Sequence, residues 1–430
     1  MRTRAQVQEK LQVGGLVFWL YMYFCIDFFL HLSARIPGYG SLRPTLVVVL
    51  LLTIMLFMQS KRLRSFKEEP AFAAILALLG YLVISLPLVE WPGSVINNNL
   101  PTFVKAIVFL FFTAYIVDTR ERLKIFVFVF VSCQIFRVFE PLFLHVTTGY
   151  WGSATYIGDG EFAGRLGGAP SDIINPNELG FVIVTIVPYI HYLMFSRGKL
   201  LSIIYFMILA ALLYALILTM SRGAMIALLV VGFMVFRKSD QKILLVLAMI
   251  GIMIAAWASM TDLQKDRYMS LVSSDTVGAA TLQGRMRGAM NELKLALERP
   301  IVGHGLGTTK EAKYNSYGGT HASHNMYAEL VIEIGLIGAI LFFRYMIRIW
   351  KNIVAVGDRL RKTETPEDDY FYRLNLALQA VFWMFVVYSI NYYGLSVYYW
   401  YLLGGLLLTY SRLMGVSLAE QEPTRKRAAV

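Results

Sequence analysis

The sequence predicts an all-α polytopic membrane protein with about twelve transmembrane helices. Three observations lead to this fold class. Of the 430 residues, 57% are hydrophobic, 14% aromatic and only 16% charged, whereas soluble domains are about half apolar and about a quarter charged. Apolar runs recur along the whole chain, and most approach the roughly 20 residues that a bilayer-spanning helix needs. Lysine and arginine are concentrated in every second loop, as expected for cytoplasmic loops.

The apolar runs define the predicted spans. In chain order they are 12–33, 44–59, 71–89, 102–117, 124–146, 179–196, 200–220, 223–236, 242–259, 325–350, 373–392 and 396–414. The basic N-terminus is not followed by a small-residue cleavage site, so the first run is interpreted as a retained span. No repeat of about 20–50 residues is visible, and spans six and seven are joined only by 196–199. We therefore interpret 1–430 as one integral membrane domain.

The charges of the loops predict the orientation of the chain. The loops rich in Lys or Arg are 60–69, 118–124, 196–199, 237–242 and 344–373, together with both termini. The loops that contain neither residue are 90–100 and 391–399. This pattern places both termini in the cytoplasm and the long segments 147–178 and 260–323 on the other side. Because the formal charge of +12 is largely explained by topology, no nucleic-acid partner is expected.

Arg222 is the first candidate site residue. It lies at the predicted outer junction of two apolar runs, between Ser221 and Gly223, which allow a tight turn. Burying a charge near the bilayer costs several kcal/mol unless it is paired, so such a residue is a candidate for function. The alternative is an interface anchor, which the positive-inside pattern disfavours on this face.

Arg285 and Arg287 are predicted to open a helix that Pro300 ends. Apolar residues follow them at helical spacing: Met286, Met290, Leu293 and Leu297. This spacing predicts an amphipathic helix within the large loop between spans nine and ten. In the first turn, an arginine would add to the free N–H groups and the positive helix dipole that attract phosphate. A solvated lateral helix is the alternative.

His324 is the candidate general base. It precedes Asn325 at the start of span ten, where a neutral histidine can take a proton from a hydroxyl nucleophile. His321, one turn earlier, can orient it. The H-x-x-H pair lacks the acidic and cysteine partners typical of a zinc site, so neither a metal nor another cofactor is expected. His304, in a glycine-rich turn that does not fit a phosphate-binding loop, is interpreted as a turn residue rather than a ligand.

Two further arginines are candidates. Arg137 lies deep in span five, three residues before Glu140, and this spacing allows the two to pair on one helix face. The pair can either seal the bundle or line a cavity. Arg165 belongs to the turn-rich segment 147–178, in which Asp159 and Glu161 are interpreted as part of a flexible solvated loop. Cys25 and Cys133 fall inside spans and are expected to be buried thiols.

Four local patterns, in this order, resemble the O-antigen ligase and polymerase superfamily of bacterial envelope glycosylation. They are Arg165-x-x-Gly with Asn175-Pro-Asn177; Ser221-Arg222-Gly223; Gly284-Arg285 leading to Arg299-Pro300-x-x-Gly-x-Gly305-x-Gly307; and His324-Asn325-x-Tyr327 with Gly335-Leu-Ile-Gly338. The patterns cover roughly 160–340, and the topology extends the likeness to the whole chain. His304 departs from the pattern, which favours a small or aliphatic residue there.

The resemblance implies a GT-C-like membrane glycosyltransferase of the bacterial inner membrane with a periplasmic site. It implies a metal-independent inverting transfer of a glycan from undecaprenyl pyrophosphate to a hydroxyl of lipid A-core. Arg222 and Arg285 would hold the pyrophosphate, with the arginines Arg137, Arg165 and Arg287 as secondary candidates. His324 would be the base, positioned by His321 and Asn325. An O-antigen polymerase, a protein O-oligosaccharyltransferase and, in another class, a lipid-linked glycan flippase are the alternatives.

Overall fold

The computed structural model describes residues 12–62, 66, 69–158, 161–269, 279–319, 323, 325–361, 366–392 and 394–415. The helices of eight or more residues in these ranges are α1 (Gly15–Leu30), α2 (Pro44–Met58), α3 (Pro70–Ser85), α4 (Leu100–Ile116), α5 (Arg120–Thr148), α6 (Pro176–Met194), α7 (Lys199–Thr219), α8 (Arg222–Lys238), α9 (Lys242–Ser259), α10 (Asp262–Met269), α11 (Ala279–Glu298), α12 (Thr309–Tyr317), α13 (Met326–Leu360), α14 (Pro366–Tyr388) and α15 (Tyr399–Leu413). The shorter helical segments are Leu32–Arg35, Tyr39–Leu42, Ser60–Arg62, Leu86–Leu88, Pro92–Ser94 and Val95–Asn99.

Each predicted span coincides with one of these helices. In the described ranges, eight helical segments are long and apolar enough to cross a membrane. The other four predicted spans correspond to α1, α8, α9 and α15, which have 16, 17, 18 and 15 residues. The chain is therefore a predominantly helical, multi-pass membrane protein, and the total of twelve spans stays a prediction.

Small residues let the central helices approach closely. A Cβ at Gly405 in α15 would lie 2.6 Å from the Leu110 carbonyl oxygen in α4, so only glycine fits at this crossing. One turn later, Thr409 Oγ1 donates to the Thr113 carbonyl oxygen at 3.0 Å. Such close backbone approach and interhelical hydrogen bonding are typical of membrane bundles, where lipid removes the hydrophobic driving force between helices.

A β-hairpin interrupts the helical fold in the segment 147–178. Strands β1 (Gly152–Gly158) and β2 (Glu161–Leu166) pair in antiparallel fashion. Leu166 is fully buried, so this part of the segment packs on the bundle. Asp159 and the side chain of Glu161, to which the prediction of a flexible solvated loop refers, lie outside the described residues, so that prediction stays untested. The all-α class holds for the membrane part.

The backbone of α13 is broken at Gly335, where φ is 63° and ψ is −176°. The glycine-rich turn after α11 docks into this break. Leu336 N donates to the Pro300 carbonyl oxygen at 2.7 Å, and His304 N donates to the Ile332 carbonyl oxygen at 2.8 Å. A Cβ at Gly335 would lie 2.2 Å from the Ile301 carbonyl oxygen. At the break, backbone groups of a membrane helix are therefore satisfied by backbone groups of the turn that follows α11.

The helix α11, in the segment 260–323, differs from the prediction in two respects. It begins at Ala279, six residues before Arg285, so neither predicted arginine lies in its first turn and the helix-dipole reasoning for them was wrong. The predicted apolar face is also largely exposed: Leu293 is 56% and Leu297 66% accessible. Another face is buried: Leu295 and Ala296 pack with Ala312 of α12 and Ile332 of α13, and the Glu292 carboxylate accepts from Lys313 Nζ of α12 at 2.5 Å.

Candidate active site

The Ser221-Arg222-Gly223 turn joins α7 to α8. Met220 ends α7 in a left-handed conformation, with φ at 50°, and the Ser221 hydroxyl then caps α8 by accepting the Ala224 N–H at 3.4 Å. Arg222 is the first residue of α8 and only 7% exposed. A snorkelling anchor would keep its guanidinium in water, so this burial contradicts the alternative of an interface anchor.

Arg165 braces this turn from the hairpin. Its Nε donates to the Thr219 carbonyl oxygen at 2.8 Å, and its Nη2 lies 3.5 Å from the Met220 carbonyl oxygen. Nη2 also donates to Asn177 Oδ1 at 3.1 Å. The carbonyl groups at a helix C-terminus lack intrahelical partners and carry partial negative charge, which a buried guanidinium satisfies. Arg165 therefore fixes the backbone that leads into Arg222.

The segment 388–394, which follows α14, joins the Arg222 turn to the start of α13. A Cβ at Gly223 would lie 3.5 Å from Asn391 Cβ. On the other side, Met326 N donates to the Ser389 carbonyl oxygen at 2.9 Å, and Gly394 N donates to Glu329 Oε2 at 2.8 Å. The turn that carries Arg222 and the first turn of α13 are thus built around the same short segment.

The residues that flank His324 are part of a helix cap. Asn325 Oδ1 accepts the N–H groups of Tyr327 at 2.9 Å and Ala328 at 3.3 Å. The side chain of Asn325 is therefore a cap of α13, and a role in positioning His324 stays a prediction. His321 and His324 themselves lie outside the described residues, as do the side chains of Arg285 and Arg287, although the backbone of both arginines belongs to α11.

Arg137 pairs with an acidic residue distant in sequence. Its Nε and Nη2 donate to the two carboxylate oxygens of Asp172 at 2.6 and 3.0 Å. The predicted pairing with Glu140 was wrong: Glu140 accepts a bidentate pair of hydrogen bonds from Arg35, with Nη2 to Oε2 at 2.6 Å. The planar guanidinium of Arg137 can form a bidentate pair with only one carboxylate at a time, and it pairs with the buried Asp172.

His31 completes the Arg137–Asp172 cluster. Its Nδ1 lies 3.2 Å from Asp172 Oδ1, and Asp172 is fully buried. Burial alone raises the pKa of Asp172, but hydrogen bonds from His31 and Arg137 outweigh it and hold that pKa at about 2. Since an ionised carboxylate only accepts hydrogen bonds, Nδ1 of His31 carries a proton and donates to Asp172.

A cavity of about 270 Å³ opens beside this cluster. Its lining includes Phe28, His31, Arg137, Glu178, Tyr392, Tyr398 and Tyr399. Two of its walls also border the Arg222 turn: Tyr392 belongs to the segment 388–394, and Glu178 is two residues from Gly180, whose Cβ would lie 3.2 Å from Ser221 Cβ. The cavity and the buried Arg222 therefore share supporting elements.

The glycine-rich turn is structural, as predicted for His304. His304 is 2% exposed and stacks on Trp91, with Nδ1 2.6 Å from Glu90 Oε2 and Nε2 3.1 Å from the Leu295 carbonyl oxygen. Both ring nitrogens of His304 are therefore held by contacts within the protein. The turn is further held by Glu333, whose Oε2 accepts the Gly307 N–H at 2.8 Å.

His31 and Asp172 were not identified in the sequence analysis. Asp172 follows Pro170 in a loop with no periodicity, and His31 ends the first span like many interfacial polar residues. Their importance arises from contacts across 35 residues and more, for which a single sequence carries no signal. An unusual feature visible only in the structure is the left-handed conformation of His31, with φ at 50°. Such conformations are enriched at functional sites.

The fold and the site define a multi-pass membrane protein with a buried arginine-bearing turn at one end of its bundle. Residues 206–343 match the family model described as O-antigen ligase. The match confirms the predicted resemblance: residues 206–343 are similar to the O-antigen ligase family, and this similarity suggests a glycosyltransferase-like enzyme. A search of curated proteins found no match. The matched segment includes Arg222, Arg285 and His324 but neither Arg137 nor Arg165.

Proposed function

We propose that the chain is an O-antigen ligase that transfers a glycan from undecaprenyl pyrophosphate to a hydroxyl of lipid A-core. The observation that carries this proposal is the convergence of the Arg222 turn and the first turn of α13 on the segment 388–394. This arrangement supports a site in which an anion-binding arginine and the candidate base His324 act on one substrate. The site faces the periplasm under the proposed orientation.

The roles of the residues follow from their chemistry. Arg222 and Arg285 hold the pyrophosphate, because planar guanidinium forks match phosphate oxygens and neutralise a leaving group without a metal. Arg287 is a secondary contributor. Arg165 acts indirectly, since its guanidinium is engaged with the Thr219 carbonyl oxygen and Asn177. His324 removes the proton of the acceptor hydroxyl, which attacks the anomeric carbon and displaces the lipid pyrophosphate with inversion.

The experiment supplies the full-length purified protein with lipid-linked O-antigen plus lipid A-core, a peptide acceptor, or neither, without added divalent metal. The expected product is O-antigen attached to lipid A-core, detected by gel mobility and mass spectrometry. Longer lipid-linked chains alone would instead assign a polymerase, and a glycosylated peptide would assign a protein O-oligosaccharyltransferase. Transport without transfer would assign a flippase.

A histidine pair supplies the matched variants. His324→Ala removes the proposed base and is expected to abolish transfer. His145→Ala is the control, because His145 lies in the last turn of α5 and its Nδ1 lies 2.9 Å from the Tyr150 carbonyl oxygen. Normal turnover in His324→Ala would remove that residue from the mechanism, and a comparable loss in both variants would indicate a general folding defect.

A further inference from the structure

A second pocket lies at the opposite end of α8 from Arg222. It has a volume of about 170 Å³ and is formed where the last turn of α8 meets the C-terminal part of α13 and the first half of α14. The lining of this basic pocket includes Arg237, Lys238, Trp350, Asp358, Arg361 and Tyr372. Because Arg222 and Lys238 are the first and last residues of α8, about 24 Å of helix separates the basic pocket from the Arg222 turn.

Three cations from two helix ends converge on the basic pocket. Arg237 and Lys238 come from the last turn of α8, and Arg361 follows the last residue of α13. All three side chains are exposed, and none of them pairs with a carboxylate among the described residues. Asp358 is the one carboxylate that the described residues contribute to the lining, so three positive charges against one negative leave a net charge of +2. Asp369, nearby on α14, is bonded to two other arginines.

A cationic concavity between membrane helices is suited to a phosphate group. Guanidinium groups form bidentate hydrogen bonds with phosphate oxygens, and a lysine adds a compact positive charge. The basic pocket lies between the segments 237–242 and 344–373, which are predicted to be cytoplasmic. Anionic lipids give the cytoplasmic leaflet its negative surface potential, and basic pockets between helices on that side bind their headgroups.

The walls of the basic pocket continue along the helices as exposed apolar faces. On α8, the Arg237 guanidinium lies over the ring of Phe233, with 5.9 Å from Cζ to the ring centroid. Phe233 and Leu229, one turn further along the same face, are both 57% exposed. On α13, Ile347 lies one turn before Trp350 and is 54% exposed. Such faces suit acyl chains attached to the bound phosphate, whereas a soluble phosphate would not use them.

Tryptophan side chains mark the level of the basic pocket in the membrane. Trp350 stacks on Phe382 of α14, with ring centroids 5.1 Å apart, and meets Trp383 edge to face at 5.2 Å. Tryptophan is enriched where a membrane protein crosses the boundary between lipid and water, which is the depth of lipid headgroups. The basic pocket therefore lies at the depth at which a lipid phosphate is found.

We infer that the basic pocket binds the phosphate headgroup of one anionic glycerophospholipid. Arg237 and Lys238 hold the phosphate from one side and Arg361 from the other, and the acyl chains lie along the exposed faces of α8 and α13. The inference goes beyond the proposed glycan transfer and does not depend on it, because the basic pocket and the Arg222 turn are at opposite ends of α8.

The test measures lipid binding to the delipidated full-length protein in detergent by native mass spectrometry. The probes are phosphatidylglycerol, phosphatidylethanolamine with the same acyl chains, and glycerophosphoglycerol, which is the anionic headgroup without chains. The wild type is expected to bind phosphatidylglycerol most tightly. Equal affinity for phosphatidylethanolamine would overturn the selection of an anionic headgroup, and equal affinity for glycerophosphoglycerol would overturn the lipid as occupant.

A double variant removes one cation from each wall of the basic pocket. Arg237→Gln with Arg361→Gln should weaken phosphatidylglycerol binding about tenfold to thirtyfold, since each cation near an anionic headgroup contributes about fivefold. Its thermal midpoint without lipid should stay unchanged, because both side chains are exposed. The control is Lys61→Gln with Lys199→Gln, which removes two exposed charges from predicted cytoplasmic loops outside the lining. Unchanged affinity in the pocket variant, or an equal loss in the control, would overturn the site.

Asp358→Asn changes the charge of the basic pocket in the opposite direction. It removes the carboxylate from the lining and should strengthen phosphatidylglycerol binding about twofold to fivefold. A folding defect cannot produce this result, since a damaged pocket would not bind more tightly. Unchanged or weaker binding would contradict a phosphate in contact with this lining. All of these measurements are made without glycan, so a failure of the proposed transfer leaves them unaffected.

Discussion

Substituting alanine for Gly335 tests whether the glycine-rich turn after α11 is locked into α13. The backbone there has φ of 63° and ψ of −176°, a combination essentially confined to glycine. A non-glycine residue in it costs about 1–3 kcal/mol. The new Cβ would also meet the Ile301 carbonyl oxygen at 2.2 Å and would weaken the adjoining hydrogen bonds, each worth about 1 kcal/mol. The expected loss of unfolding free energy is about 4 kcal/mol.

The two free cysteines provide the assay. Cys25 is 1% and Cys133 6% exposed, so a thiol-reactive dye labels them only when the bundle opens on heating. Gly335→Ala should lower the midpoint of dye labelling by several degrees and reduce glycan transfer. Gly80→Ala in α3 is the control, because no atom lies within 4 Å of the added Cβ. A midpoint equal to that of the wild type, or an equal fall in the control, would refute the interlocked break.

Three further predictions concern the arginine contacts. Arg137→Gln should destabilise the protein by about 3–5 kcal/mol, because it leaves the fully buried Asp172 carboxylate without its bidentate partner. The double variant with Asp172→Asn should recover most of the lost stability, as measured by thermal unfolding. The pKa of Asp172 in the folded protein, about 2, lies below its usual value of about 3.9. The ionised carboxylate therefore contributes fully to stability above roughly pH 4, and this contribution disappears as the pH falls through about 2. Asp172→Asn should remove the pH dependence of the unfolding free energy only in that window. Arg165→Lys loses the fork that holds the Thr219 carbonyl oxygen and Asn177, so transfer should fall; full activity would show that these contacts are dispensable.

The membrane helices could be predicted from the sequence because each is marked by a continuous apolar run and by the charges of its loops. The break at Gly335 could not, since the run around it stays apolar, and its backbone is stabilised by residues of another loop. The β-hairpin was missed because glycines obscure the strand alternation between Gly152 and Leu166.

A candidate site residue could be predicted where its own position in the sequence is unusual. It could not be predicted where its role depends on a contact between residues distant in sequence. Arg222 was found because a charge stands between two apolar runs. The partner of Arg137 was misassigned because helical spacing favours Glu140, whereas Asp172 lies 35 residues away and reaches Arg137 only through the folded loop. The start of α11 was misplaced because Gly284 resembles a helix boundary, although the helix extends back to Ala279.

The Ser221-Arg222-Gly223 turn is proposed to bind a lipid pyrophosphate, and a binding measurement tests this role most directly. Undecaprenyl pyrophosphate is titrated against the full-length protein in nanodiscs for the wild type, for Arg222→Lys and for Arg43→Lys, a control at an exposed loop arginine. Arg222→Lys keeps the charge but loses the planar fork, so its affinity should fall about tenfold while the control stays unchanged. Equal affinities for the wild type and Arg222→Lys would contradict the claim.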